Sequence, residues 1–257
     1  MRLWLKLAAL ALLVCTATAT AFTQQNTPPA APVDNRRSGL LDMSPATQAL
    51  QRDDTLNPAW LWLQDGERTF ATDCARCHSV AAMGGVATRY PAFDAILGKP
   101  VTLAGRINQC RLRHLKTNAL PIESAELLGL ETFVAQQSRG LPIAPPADPR
   151  LTPWREQGRT LFAQRFGQLG LSCAQCHDQH AGGRLAGSTI PQGHPNAYPL
   201  YRLEWQGLGS LQRRLRNCMT GVRAEPFADG ADEWTALTLH LMQRAAGMAI
   251  ETPGVRP

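Results

Sequence analysis

Two stretches of the chain repeat apolar residues at helical spacing and can be laid over each other. They are SAELLGLETFVAQQSRG (124–140) and ADEWTALTLHLMQRAAG (231–247). Glu126 aligns with Glu233, Leu127 with Trp234, Leu130 with Leu237, Val134 with Leu241 and Gly140 with Gly247. Apolar positions recurring every three or four residues predict helices with one face in a core, and a glycine after the last turn is a common terminator. The likeness extends upstream. QDGERTF (Gly66, Phe70) and REQGRTLF (Gly158, Phe162) read as earlier helices, and AGRINQCRLRH and LQRRLRNCM as basic helices that each carry one cysteine. Strand-like alternation is scarce. The pattern predicts a mainly α protein built as an internal repeat.

Proline-rich stretches mark the boundaries. GLPIAPPADPRLTP reads as a linker, and the polar, proline-rich run from 22 to 49 as a flexible arm or one lying on a partner. The expected organisation is a first domain over 50–140, a linker over 141–153 and a second domain over 154–257. Before the arm, Arg2 and Lys6 precede an apolar run from Leu7 to Val14 and small residues ending at Ala21. That is the pattern of a signal peptide over 1–21, and the apolar run is too short for a membrane anchor.

Charge narrows the function classes. The formal net charge is +6, and residues 1–21 hold Arg2, Lys6 and no acid, which leaves +4. A mild, dispersed excess does not make a nucleic-acid footprint but suits a small anion or an acidic partner surface. Seven cysteines are present: Cys15 in the signal segment, then Cys74, Cys77, Cys110, Cys173, Cys176 and Cys218. Three disulfides would be the plain reading in an exported protein. Two of the three pairs, however, lie inside Cys-x-x-Cys-His.

That signature attaches haem c: two thiols on one turn bond the porphyrin and the next histidine is presented to the iron. Cys74, Cys77 and His78 form one set, and Cys173, Cys176 and His177 the other. A zinc ribbon would bring its pairs roughly 15–20 residues apart, whereas these are 99 apart. Two covalently attached haem c groups are therefore expected, in two tandem class I cytochrome c-like domains.

For the second axial ligand, the first half offers Met83, Cys110 and His114. The second offers Cys218, Met219, His194, His240, Met242 and Met248. Met83 is five residues after His78, with little chain to cross a haem. Only cysteine stands at equivalent places in both halves, Cys110 being 32 residues after His78 and Cys218 41 after His177. His114 remains an alternative. Arg106 and Arg214 each precede these cysteines by four residues, on the same helical side, where a guanidinium lowers a thiol pKa. Arg106, Arg111 and Arg113 serve equally well as partners of haem propionates.

The two Cys-x-x-Cys-His sites, GRINQCR and RRLRNCMTGVRAEP together resemble the SoxA family, the dihaem cytochrome of bacterial thiosulfate oxidation. The resemblance covers nearly the whole chain after the signal segment. It implies a periplasmic enzyme, an L-cysteine S-thiosulfotransferase, which joins thiosulfate to a cysteine of the SoxYZ carrier and passes electrons to cytochrome c. It also implies a heterodimer with a SoxX-like monohaem subunit. It assigns iron ligation to His78, Cys110, His177 and Cys218, a persulfide-forming catalytic role to Cys218, and substrate binding to Arg214. The competing readings are a dihaem electron carrier without sulfur chemistry and a dihaem peroxidase.

Overall fold

The computed structural model describes residues 34–257; the signal segment and the first part of the arm lie outside the described residues. Residues Arg36–Pro257 pack as one unit. A short helix α1 (Pro45–Arg52) leads to α2 (Trp60–Asp73), which ends at the first Cys-x-x-Cys-His. The hairpin β1 (Ala92–Asp94) and β2 (Lys99–Val101) then feeds α3 (Leu103–Cys110), and α4 (Ala125–Gln136) closes the half. The second half repeats this order. α5 (Thr152–Ala163) precedes the second Cys-x-x-Cys-His, and a small hairpin follows, β3 (Arg184–Leu185) and β4 (Ser188–Thr189). Next come the hairpin β5 (Leu200–Arg202) and β6 (Gly207–Gly209), α6 (Leu211–Gly221) and α7 (Asp232–Arg244). A last strand, β7 (Gly254–Arg256), returns parallel to β5.

Local chemistry explains the equivalent starts. Thr102 and Ser210 cap α3 and α6 by accepting from Gly105 N and Arg213 N, both at 3.1 Å. Such caps satisfy backbone donors that have no partner within the helix. Each half is then held by one close helix crossing. A Cβ on Gly66 in α2 would collide with the carbonyl of Gly129 in α4. A Cβ on Gly158 in α5 would collide with the carbonyl of Ala236 in α7. The aromatic contact beside each crossing also repeats: Phe70 meets Phe133 and Phe162 meets His240, both with ring centroids 5.2 Å apart.

Two expectations change on the structure. The arm expected over 22–49 lies, from Arg36 onward, against the protein's own second half: Arg36 Nη1 donates to the Ala246 carbonyl at 2.5 Å and Ser38 Oγ donates to Glu251 Oε2 at 2.7 Å. Gln51 and Asn57 are buried and need partners. Gln51 accepts from Val255 N at 3.0 Å and donates to Glu251 at 3.1 Å, and Asn57 donates to the Pro253 carbonyl at 3.0 Å. The proline-rich stretch 141–153 is likewise no free tether. Ile143 N donates to the Met248 carbonyl at 2.9 Å, Gly247 N donates back to the Ile143 carbonyl at 2.7 Å, and Ile143 is fully buried. Gly140 (φ 82°) and Gly247 (φ 86°), expected as helix terminators, take the left-handed backbone three and two residues beyond the C-caps Gln137 and Ala245.

Candidate functional site

The second Cys-x-x-Cys-His is started by a reciprocal cap. Ser172 Oγ accepts from Gln175 N at 3.2 Å while Gln175 Oε1 accepts from Ser172 N at 2.9 Å, which satisfies two otherwise orphaned donors. The turn presents Cys173, Cys176 and His177, all half-buried. His177 Nδ1 lies 2.7 Å from the Pro191 carbonyl. A carbonyl can only accept, so Nδ1 carries the proton and Nε2 keeps its lone pair for a metal. Gly193 (φ 73°) passes so near this ring that any Cβ would press on it.

Cys218 faces the ring from α6, one turn after Arg214. Burial pushes the Cys218 thiol up, but His177, Arg214 and Arg202 outweigh it and hold the thiol below its usual range. The same contact works on the histidine. Burial pushes His177 down, and the Cys218 sulfur and the Pro191 carbonyl carry it above its ordinary value. Burial raises Cys173 to about 11, with the neighbouring Cys218 adding to it. All six described cysteines are unpaired thiols, so the disulfide reading is not what the chain folds into. Two thiols on the turn, a histidine with a free Nε2 and a further sulfur against that ring form a donor set that fits a c-type haem.

The first half is more open. Its turn closes through Cys77 N and His78 N, both donating to the Cys74 carbonyl at 3.0 and 2.9 Å. Cys77 and His78 are exposed. Burial pushes Cys74 up to about 11, with Asp73 and Cys110 adding to it, so Cys74 and Cys110 share one site. Arg106, read as a thiol or propionate partner, is engaged elsewhere. Its Nη1 lies 2.9 Å from Asp94 Oδ2, and Arg113 reaches the same buried carboxylate with bonds of 2.8 and 3.1 Å. Arg111 pairs with Asp73.

The remaining candidate ligands are placed elsewhere. Met83, Met219 and Met242 are packed in apolar clusters. His240 stacks on Phe162, His114 is exposed, and His194 Nε2 lies 3.2 Å from Gln192. Among the described residues no three of His, Cys, Asp and Glu converge as a metal-binding group. The two Cys-x-x-Cys pairs sit in separate halves, so a zinc ribbon is not assembled.

Sequence reading missed Pro191, Gly193, Tyr198 and Arg202. A signal for the last two was present. Tyr90-Pro91 and Tyr198-Pro199 stand at the same offset of 108 as Cys110 and Cys218. The hairpins between them therefore also correspond, and Asp94 matches Arg202.

Two helix-and-turn units, each ending its first helix before Cys-x-x-Cys-His and each folding a second cysteine back toward it, define a tandem c-type cytochrome. A family model described as SoxA/TsdA, cytochrome c domain, matches twice, over residues 61–143 and 157–250. An L-cysteine S-thiosulfotransferase subunit SoxA from Pseudaminobacter salicylatoxidans is 31% identical over 91% of this chain and 85% of its own. One from Rhodovulum sulfidophilum is 33% identical over 87% and 81%. The crystal structure of SoxXA from P. pantotrophus matches with a TM-score of 0.83 at 30% identity, over 86% of this chain and 87% of that one. The chain belongs to the SoxA family, and a cytochrome c domain of this kind holds covalently bound haem c.

Proposed function

We propose that this chain is the haem-bearing subunit of an L-cysteine S-thiosulfotransferase and that its reaction is run at Cys218. The relatives that carry this activity in their names support the reaction class, and the approach of Cys218 to His177 beside Arg214 supports the place. Two haems are held, one by Cys74, Cys77 and His78 with Cys110, the other by Cys173, Cys176 and His177 with Cys218. When bound, the cofactor would be held by His177 and Cys218 and would supply a one-electron acceptor.

The chain's own groups do the rest. Arg214 offers a planar fork of donors to the sulfonate oxygens of thiosulfate. Cys218 supplies a sulfur for a covalent adduct, which splits one difficult step into two. Cys218 thiolate and thiosulfate together lose two electrons and become Cys218–S–S–SO3⁻. A carrier thiolate then attacks the middle sulfur, takes the S–SO3⁻ group and releases Cys218 thiolate, as in disulfide exchange. In sum, a carrier thiol and thiosulfate give the carrier's thiosulfonate conjugate, one proton and two electrons, which leave singly to cytochrome c.

The carrier is SoxYZ, and a SoxX-type subunit joins this chain, as in the matched SoxXA complex. The signal pattern over residues 1–21 supports a periplasmic place. Among the described residues no helix is long and apolar enough to cross a membrane. The deciding experiment is Cys218→Ala in the matured complex. Thiosulfate- and carrier-dependent reduction of cytochrome c disappears while both haems stay attached; full activity in that variant refutes the assignment.

A further inference from the structure

The two halves differ in charge at one corner. Asp94 ends β1, paired across the hairpin with Lys99, and Arg202 ends β5, paired across with Gly207. In the first half the corner carboxylate takes up Arg106, the counterpart of Arg214, at 2.9 Å. In the second half that corner is itself cationic, and among the described residues no carboxylate forms an ion pair with Arg214.

Arg202 has one orphaned donor, and its guanidinium lies 5.1 Å over the Trp205 ring. Its side chain is only 12% exposed, and its Nε is buried 2.9 Å from Glu204 Oε1 without hydrogen-bond geometry. Glu204 is half in solvent, where an ion pair is weak. The adjoining Arg256, in register on β7, has Gln51 and Glu251 as partners. Burial and the charge of Arg214 both push Arg202 below its usual range, and Arg202 in turn acts on Cys218. Arg202 and Arg214 stand where the first half has an acid and a base 2.9 Å apart, and two cations in that place call for an anion between them.

We infer that Arg202 is a second substrate-binding residue of the Cys218 centre, which closes with Arg214 around the sulfonate of thiosulfate. The inference rests on the thiosulfotransferase reading above. A haem propionate carries the same anionic chemistry, so the test separates the two sources.

The matured complex is assayed with SoxYZ and cytochrome c. Arg202→Lys, Arg202→Ala and Arg202→Asp are compared with Arg216→Ala, which removes one charge from α6 at a residue paired with Asp229. The expected result is a KM for thiosulfate raised at least tenfold in Arg202→Ala. The rise is larger in Arg202→Asp, which recreates the first-half pairing, and smaller in Arg202→Lys; Arg216→Ala is unchanged. Haem content and the second haem's reduction potential stay at wild-type values, and thiosulfate no longer perturbs the oxidised spectrum at wild-type concentrations. An unchanged KM overturns the inference. So does an altered haem content or potential without a KM change, which assigns Arg202 to a propionate. If Arg202→Ala fails to fold, Arg202→Lys decides by the same criteria. Absence of carrier conjugation in the wild-type complex is a separate outcome that sinks the thiosulfotransferase reading itself.

Discussion

His177 and Pro191 meet at 2.7 Å, imidazole Nδ1 to backbone carbonyl, and this contact fixes which ring nitrogen faces Cys218. The loop that brings Pro191 there is a difference between the halves. Twenty residues separate His177 from Tyr198, against eleven between His78 and Tyr90, and the extra length holds the small hairpin β3–β4. The longer loop covers His177 where His78 is left in solvent.

Gly193 is the tight point of that loop. Its left-handed backbone costs another residue about 1–2 kcal/mol, and an added Cβ would press the His177 ring. Gly193→Ala is expected to lower the melting temperature and to disturb the second haem's absorption spectrum while leaving the first intact. Difference spectra of the reduced protein check this.

Asp94 stabilises the first half as an anion. The Arg113 hydrogen bonds outweigh burial and hold its carboxyl well below the usual range. A depressed folded pKa means stability present above the unfolded value, near 4, and lost as pH falls below it. Asp94→Asn leaves Arg106 and Arg113 without their acid. It is expected to cost about 3 kcal/mol at pH 7, with the gap from wild type narrowing below about pH 4. Thermal melts across pH 3–7 measure both.

Glu131 has the opposite sign. It lines a small cavity between the halves with Tyr90, Leu103 and Tyr198. Burial raises its carboxyl to about 7, with Glu123 adding to it. Its contribution is intact below the unfolded pKa and is lost as pH rises toward 7. Glu131→Gln is therefore expected to melt higher than wild type at pH 8 and level with it at pH 5. A lower melting temperature at pH 8 would contradict this environment.

Cross-half surface pairs should matter little. Lys99 Nζ and Asp232 Oδ1 are 2.7 Å apart, with side chains 40% and 45% exposed. Solvent screens such a pair, so Lys99→Ala is expected to cost under about 1 kcal/mol. Gly158→Ala, which drives a methyl into the Ala236 carbonyl, is expected to cost 3 kcal/mol or more on the order of severe overpacking. Parallel denaturant titrations of the two variants rank them.

Much of this was legible from residues alone. The repeated helices, both haem turns and the equivalence of Cys110 and Cys218 are written in periodicity and spacing, which local geometry enforces. Arg202 was not, because its meaning depends on Asp94 standing at the same corner of another hairpin. Those hairpins have strands of three residues, too short to show alternation. Nor could spacing reveal that Gln51 and Asn57 would bind the chain's far end, since such contacts span about 200 residues.

The crossings at Gly66 and Gly158 set helix against helix by main chain rather than by side chain. Neighbours such as Leu63, Leu130 and Leu237 can then be exchanged for others of similar bulk without moving the joint. The distance from each Cys-x-x-Cys-His turn to its closing helix is thus a property of methyl groups that are missing. Anyone redesigning this scaffold has none of that freedom at Gly66, at Gly158 or at Gly129, whose added Cβ would meet the Trp62 carbonyl.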